Sequence, residues 1–390
     1  MTRKQNLLNM LAGRKPEWVP CSLNLWQWHK HHKTFGTLPE ELMGTESDLD
    51  AMKVLGLDFF TRNVPCQRME CFEGLEVETE SIRQPLGMQT TRILRTPHGD
   101  LRQVSQEQAA MTTAHEMEHF VHDWETQGRA YLYALERLRM TWDRELFART
   151  LAEVGDHGLI MMPVGETPLK RLHMDFGLEY ASMFMMLHPE AAKTCCDAYW
   201  AHLWPMLCDV VEADGLHAVV LMDNVDTPFY PPNLCGQYWT PYVRQAADLF
   251  ERKGKRLLVH ACGKLRGLRD VLKASGVHGL EGIAHPPLGD FIPAEAWDLG
   301  DRFIYNGGFS AHEQVSKTDD ELRTFYDGFF RDLEGFPRLI FAASCNTAVD
   351  TPWERIKLAV ALCRERGGAP RDVAGAGTGA VQRSLSARAS

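Results

Sequence analysis

From residue 158 onward the chain repeats one alternation: a short, almost wholly apolar run, then an amphipathic stretch long enough to cross back over it. The runs fall at 158–164, 216–222, 256–262, 277–280, 302–305 and 338–343. Segments such as 190–211 and 242–253 between them have the length of crossover helices. A strand that is apolar along its whole length is buried on both faces, and alternating such strands with helices makes a parallel sheet covered on both sides. Two earlier runs, 18–23 and 57–62, bring the count to eight, which closes naturally into a (β/α)8 TIM barrel. The expected class is therefore α/β. At 390 residues the chain is long enough for such a barrel with insertions.

Residues 66–106 follow another rule. Leu75-Glu-Val-Glu-Thr-Glu80 alternates with period two, and Met88–Arg95 and Asp100–Val104 follow across turn residues at 84–87 and 96–99. This predicts antiparallel hairpins inserted into the barrel. Residues 107–157 then read as a helical excursion, with His115, Glu118, His119 and His122 at helical spacing. Such a set suits a metal or a solvated face, and ligand-type residues on strand ends elsewhere favour the solvated face. Near the N-terminus a helix over 3–13 stops at Gly13, and another is expected over 46–55. After the first strand come Trp26, Trp28 and His29, which suit either a pocket wall or a helix with a partly buried indole face. The barrel is expected over 1–367. Residues 368–390 are small, polar and without an apolar period, which predicts a flexible tail. Gly375-Ala-Gly-Thr-Gly379 within it echoes a dinucleotide loop but follows no strand.

Composition removes several classes. A net charge of −10 lacks the basic face that phosphate binding requires, so nucleic acid is not an expected partner. No run of eighteen apolar residues occurs, so no membrane partner is expected. Met1-Thr-Arg-Lys-Gln-Asn6 lacks the apolar core of a signal peptide, and a cytoplasmic location is expected. Ten cysteines without a CxxC spacing point to reduced thiols.

Polar residues gather where the expected strands end. His260 and Cys262 stand two apart, so both project from one face of a strand, and Cys345 follows a later strand. A His with two thiolates suits Zn²⁺ with one coordination position open to substrate. Glu166, Asp223, Asn224, Glu281 and Asn306 likewise follow expected strands. Active sites of such barrels lie at the C-terminal ends of the strands, so all these groups are expected around one mouth. A helix-cap or turn role stays open for each carboxylate taken alone.

His260-Ala-Cys262-Gly263 with distant Cys345, and Glu281-Gly-Ile-Ala-His-Pro-Pro-Leu-Gly-Asp290 between, resembles the uroporphyrinogen decarboxylase superfamily. More narrowly it resembles the zinc-dependent, corrinoid-linked methyltransferase and O-demethylase branch. Met10–Pro20, Asp223-Asn224-Val225 and Pro352-Trp-Glu-Arg355 fit as well, so the likeness spans roughly residues 3 to 366. The resemblance implies a (β/α)8 barrel in which His260, Cys262 and Cys345 hold zinc. Glu281 then serves as fourth ligand or as a group orienting the ligands, and Asp223 with Asn224 as substrate-positioning residues. Trp26, Trp28, His29, Glu166 and Asn306 are the substrate-binding candidates. The Arg-Gln-Ala-Gly-Arg motif of true decarboxylases is replaced by Asn24-Leu-Trp-Gln-Trp-His29, which argues against a porphyrinogen tetracarboxylate. No Asp-x-His-x-x-Gly corrinoid signature occurs, so cobalamin is expected only on a partner protein.

The favoured reaction is O-demethylation of a small methoxylated compound. The reverse sense, with a thiol as methyl acceptor, is left open by the residues. The alternatives are a corrinoid-independent zinc thiol alkyltransferase of the epoxide:coenzyme M type, a metal-free lyase, or a barrel whose His and Cys are structural. The partners expected are a small methyl donor or thiol acceptor and a corrinoid protein, with a homodimer as the candidate assembly.

Overall fold

The computed structural model describes residues 1–64, 68–85, 87–108 and 113–370. Within them run β1 (Cys21–Ser22), β2 (Arg68–Phe72), β3 (Glu76–Gln84), β4 (Gly87–Arg95), β5 (Leu101–Gln108), β6 (Thr113–Glu118), β7 (Leu138–Trp142), β8 (Met161–Pro163), β9 (Ala218–Leu221), β10 (Arg256–His260), β11 (Gly279–Ile283), β12 (Ile304–Phe309) and β13 (Leu339–Ala343). β1 and β8–β13 form one seven-stranded sheet in the order β1-β13-β12-β11-β10-β9-β8. The β1–β13, β13–β12, β11–β10, β10–β9 and β9–β8 pairs are parallel. Every residue of β9, β11, β12 and β13 is buried, as continuous apolar strands require. The fold is an α/β barrel with an antiparallel insert, and the barrel is distorted and open.

The opening has a local cause. The second early run, 57–62, forms no strand of the sheet. It makes one isolated parallel bridge, Phe59 with Gly158. Phe59 N donates to His157 O at 2.9 Å, and Leu159 N donates to Phe59 O at 2.8 Å. Position 158 has to be glycine for this approach, because a Cβ there would lie 2.0 Å from the Phe59 carbonyl oxygen. Asp58 draws the run toward β1 instead, its carboxylate accepting from Cys21 N (2.9 Å) and Trp18 Nε1 (3.2 Å).

The described chain falls into two compact units. One comprises Met1–Thr61, Glu153–Leu159 and the described residues from Ile292 on. Its helix Asp319–Asp332 packs Tyr326, Phe329 and Phe330 onto Phe341 of β13, with Phe329 also meeting Tyr305 of β12. Thr318 caps this helix, and Ser47 caps Asp48–Leu55, each in a reciprocal capping box. The helix expected over 3–13 runs Arg3–Leu11, with Thr2 as its cap.

The other unit comprises Arg62–Ala152 and Ile160–Phe291. Its long helix Pro189–Val210 buries Cys195, Cys196, Tyr199, Trp200 and Leu203, and burial pushes the Cys195 and Cys196 thiols up. The insert is larger than its pattern predicts. β3–β6 form a four-stranded antiparallel sheet, and β2 pairs with β7. Residues 113–118, read as the start of a helical excursion, are β6, paired with β5 through His115↔Gln106. The spacing of His115, Glu118, His119 and His122 fits a helix and an irregular strand end alike, and the ladder to β5 decides it. Among the described residues no helix is long and apolar enough to cross a membrane. The expected tail beyond residue 370 lies outside the described residues, as does Leu86 of the expected 84–87 turn.

Candidate metal centre

β10 delivers His260 as its last residue, directly opposite Glu281 in the β10–β11 register. Because neighbours in a parallel pair project to the same face, imidazole and carboxylate meet. His260 Nδ1 and Glu281 Oε2 are 2.5 Å apart, and Glu281 Oε1 is ion-paired with Arg62. All three side chains are at most 5% exposed. A carboxylate buried this deeply needs a hydrogen-bonded cation, and Arg62 is one. Glu281 thus lies inside β11 rather than after it, with one oxygen on the imidazole and the other on the guanidinium.

The chain turns sharply after Cys262. Gly263 N donates to Val225 O at 3.2 Å, and a Cβ at Gly263 would come within 2.3 Å of Asp226 Cβ, so only glycine permits the turn. Lys264 N donates to Asp226 Oδ1 and Leu265 N to Asp290 Oδ1, which tie the loop down from two further segments. Cys345 stands two residues beyond β13. Asn24 holds that loop: its Nδ2 donates to Cys345 O (3.2 Å) and Asn346 Oδ1 (2.7 Å), and its carbonyl accepts from Thr347 N (2.9 Å). His260, Cys262 and Cys345 each bring a ligand atom within 4.8 Å of the others. Among the described residues they are the group of three or more His, Cys, Asp or Glu that could hold a metal ion. The histidines of 115–122 form no such group there. His119 Nδ1 instead donates to Met174 O at 2.8 Å.

The remaining sequence candidates are placed as follows. Asp223 is fully buried, accepting from Thr167 N (2.8 Å) and Trp239 Nε1 (2.6 Å), and burial pushes its carboxyl up to about 6. It ties the segments after β8 and β9 together. Asn224 follows it in the left-handed region, φ 53°, a conformation Asn tolerates better than most residues. Glu166 belongs to a buried ionic network: Arg68 Nη2 reaches Glu166 Oε2 at 3.0 Å and Glu70 Oε1 at 2.9 Å, and Arg171 bridges Glu70 and Asp175. Trp26, Trp28 and His29 lie on the helix Trp26–Phe35. Trp28 is buried, stacked on Trp353 and donating to Thr351 O, and His29 Nε2 meets Thr45 Oγ1 at 2.7 Å. Burial lowers the His29 pKa. Asn306 lies inside β12 and is 1% exposed.

Two groups escaped the sequence reading. Arg62 closes the 57–62 run, but its partner is 219 residues away. Asn24 lies in the segment that replaces the decarboxylase motif, and nothing local marks its grip on the Cys345 loop.

Residues 174–366 match the uroporphyrinogen decarboxylase (URO-D) family, a span that contains all three cluster residues. A methyltransferase from Methanosarcina mazei has a similar structure at 16% identity, with a TM-score of 0.60 over 94% of this chain and 99% of that one. A B12-independent methionine synthase from Shewanella sp. W3-18-1 is 12% identical with a TM-score of 0.38, covering 90% of this chain and 94% of that one. No curated protein matches the chain. The family match is confined to residues 174–366, and the likeness to the Methanosarcina mazei structure is one of fold.

Proposed function

We propose that this chain is a zinc-dependent methyltransferase that moves a methyl group between a small methoxylated compound and the cobalt of a partner corrinoid protein. The observation that carries the reading is the convergence of His260, Cys262 and Cys345 within 4.8 Å. The donor set fits the metal: one imidazole and two thiolates suit zinc and leave a position for substrate. A carboxylate on the Nδ1 side of the imidazole orients the ring and raises its basicity, as it does for ligating histidines generally. When bound, zinc supplies a Lewis acid for the heteroatom that releases or accepts the methyl group.

The chain's own residues hold this arrangement. Glu281, neutralised by Arg62, fixes the His260 tautomer and acts as an orienting group rather than a fourth ligand, since its two oxygens are already engaged. Asn24 holds the Cys345 loop, and Asp223 braces the neighbouring strand ends. Asn306 is assigned to substrate. The cobalamin chemistry belongs to the partner, and this protein contributes orientation and a polarised leaving atom.

Elemental analysis of the purified wild type, Cys262→Ala and Cys345→Ala is the direct test. The expected result is about one zinc per wild-type chain and none in either variant, with methyl transfer to a corrinoid protein lost alongside. Metal-free wild type, or zinc retained in both variants, would sink the reading.

A further inference from the structure

We infer that the buried face of the helix Ala311–Ser316 holds a monovalent alkali cation through the side-chain oxygens of Ser310, Glu313 and Gln314, a site separate from the candidate metal centre. This short helix is inside out. Glu313 and Gln314 are each 1% exposed, as is Ser310 at the N-cap, whereas Val315 is 53% exposed. Residues three and four apart share one helical face, so Ser310, Glu313 and Gln314 give the buried side a hydroxyl, a carboxylate and a carboxamide. A helix that served packing alone would bury Val315 and turn Glu313 to water.

The oxygens on that side are unanswered. Ser310 Oγ, Glu313 Oε2 and Gln314 Oε1 are buried and make no hydrogen bond among the described residues, and no described residue forms an ion pair with Glu313. Ser310-Ala-His-Glu313 spells a capping box, in which hydroxyl and carboxylate would each accept a backbone N–H. Here the Ser310 side chain makes no capping bond. The next helix, Asp319–Asp332, closes the same pattern with exposed residues: Thr318 N donates to Glu321 Oε2 at 2.8 Å, and Glu321 N donates to Thr318 Oγ1 at 3.4 Å. The box is therefore open only where its oxygens are buried. Tyr326 fixes the direction of the carboxamide, because Gln314 Nε2 donates to Tyr326 Oη at 2.5 Å and leaves Oε1 as the free end. Burial pushes the Tyr326 hydroxyl up, and the negative charge of Glu313 adds to this, so both side chains have the tyrosine as a neighbour.

The chemistry of the occupant follows. Buried carboxylates are paired with a cation or coordinate a metal. A donor set made only of oxygens selects a hard cation, in contrast to the imidazole and thiolates of His260, Cys262 and Cys345. One carboxylate neutralises one positive charge. A divalent ion would leave a net charge in the interior without a counter-charge, so the site fits sodium or potassium. Such an ion is about the size of a water molecule and takes no more room than the missing hydrogen-bond partners would.

The test is thermal unfolding of wild type, Glu313→Gln and Glu321→Gln in sodium, potassium and choline chloride at one ionic strength. Wild type is expected to melt at least about 2 °C higher in one or both alkali salts than in choline chloride, with a shift that follows the saturation of one site as salt is raised. The salt that gives the shift at the lower concentration identifies the ion. Glu313→Gln is expected to lose the preference, and Glu321→Gln, which removes an exposed carboxylate from the neighbouring helix, to keep it. A proton or a water molecule in the cation's place leaves the three salts equivalent. Wild type melting alike in all three, a preference that survives Glu313→Gln, or one lost equally in Glu321→Gln overturns the inference. Should Glu313→Gln fail to fold, Ser310→Ala decides: it is expected to need about 3- to 10-fold more salt for the same shift, and an unchanged salt requirement overturns the inference.

Discussion

The ends of β10 and β11 and the ends of β12 and β13 are both buried and polar, yet they are built on opposite principles. At β10 and β11 each charge is answered: Arg62 on Glu281, Glu281 on His260. At the ends of β12 and β13 neutral groups go unanswered: Asn306, Ser344 and Thr347 present polar atoms that no described residue meets, as does one carboxylate oxygen of Glu313 just beyond β12. Desolvation explains the division. An unpaired buried charge costs several kcal/mol, which favours the built-in partners seen at β10 and β11. An unpaired amide or hydroxyl costs about 1–3 kcal/mol, which a large fold tolerates. The first region fixes its imidazole between built-in partners, and the second leaves buried polar atoms that no described residue meets.

The sharpest way to break this contrast is to strip the counter-charge from the first region. Arg62→Met leaves Glu281 buried beside an imidazole alone, and urea denaturation is expected to show a loss of about 3–5 kcal/mol. A loss below about 1 kcal/mol would mean that the pairing does not organise this region. Asn306→Leu in the second region is expected to move stability the other way.

A smaller effect comes from Asp58, a buried carboxylate held mainly by the neutral donors Trp18 Nε1 and Cys21 N. Burial is the largest influence on it and pushes its pKa up to about 6 from 3.8. The native state therefore binds the proton more tightly than the unfolded chain between these values. The stability Asp58 contributes is present below about pH 4 and is lost as pH rises through about 6. Relative to Asp58→Asn, the wild type should gain about 2–3 kcal/mol when pH falls from 7 to 4. Denaturation series at several pH values read this difference, and parallel curves would show that Asp58 is not perturbed. The smallest expected change is in Asn24→Ala, which frees the Cys345 loop. Zinc should remain bound but yield to a competing chelator about 3- to 10-fold more readily. Unchanged competition would show that Cys345 is positioned without Asn24.

Much of this was legible in the chain. The apolar runs separated by crossover-length segments imply a parallel sheet, because a strand with no polar face must be covered twice. His260 and Cys262 were recognisable as a pair because a two-residue spacing on an extended chain sets them on one face, although the strand ends at His260 and Cys262 lies in the loop beyond it. Period-two alternation marked the insert, although β6 was lost to helical spacing because its pairing with β5 is not a local property. Glu281 and Asn306 were legible as polar residues near strand ends, but not as members of the strands.

What the sequence determined alone is whatever short-range periodicity dictates: the buried parallel strands with their crossover helices and the His-x-Cys pair; the need for glycine at 263 came from Asp226 in the fold. Only the tertiary structure decided which charge answers Glu281, which carbonyls anchor the Cys345 loop, and that 57–62 makes a bridge instead of an eighth strand. These outcomes depend on groups far apart in the chain competing for the same buried partners. Burial energies choose among them only once the strands are in register.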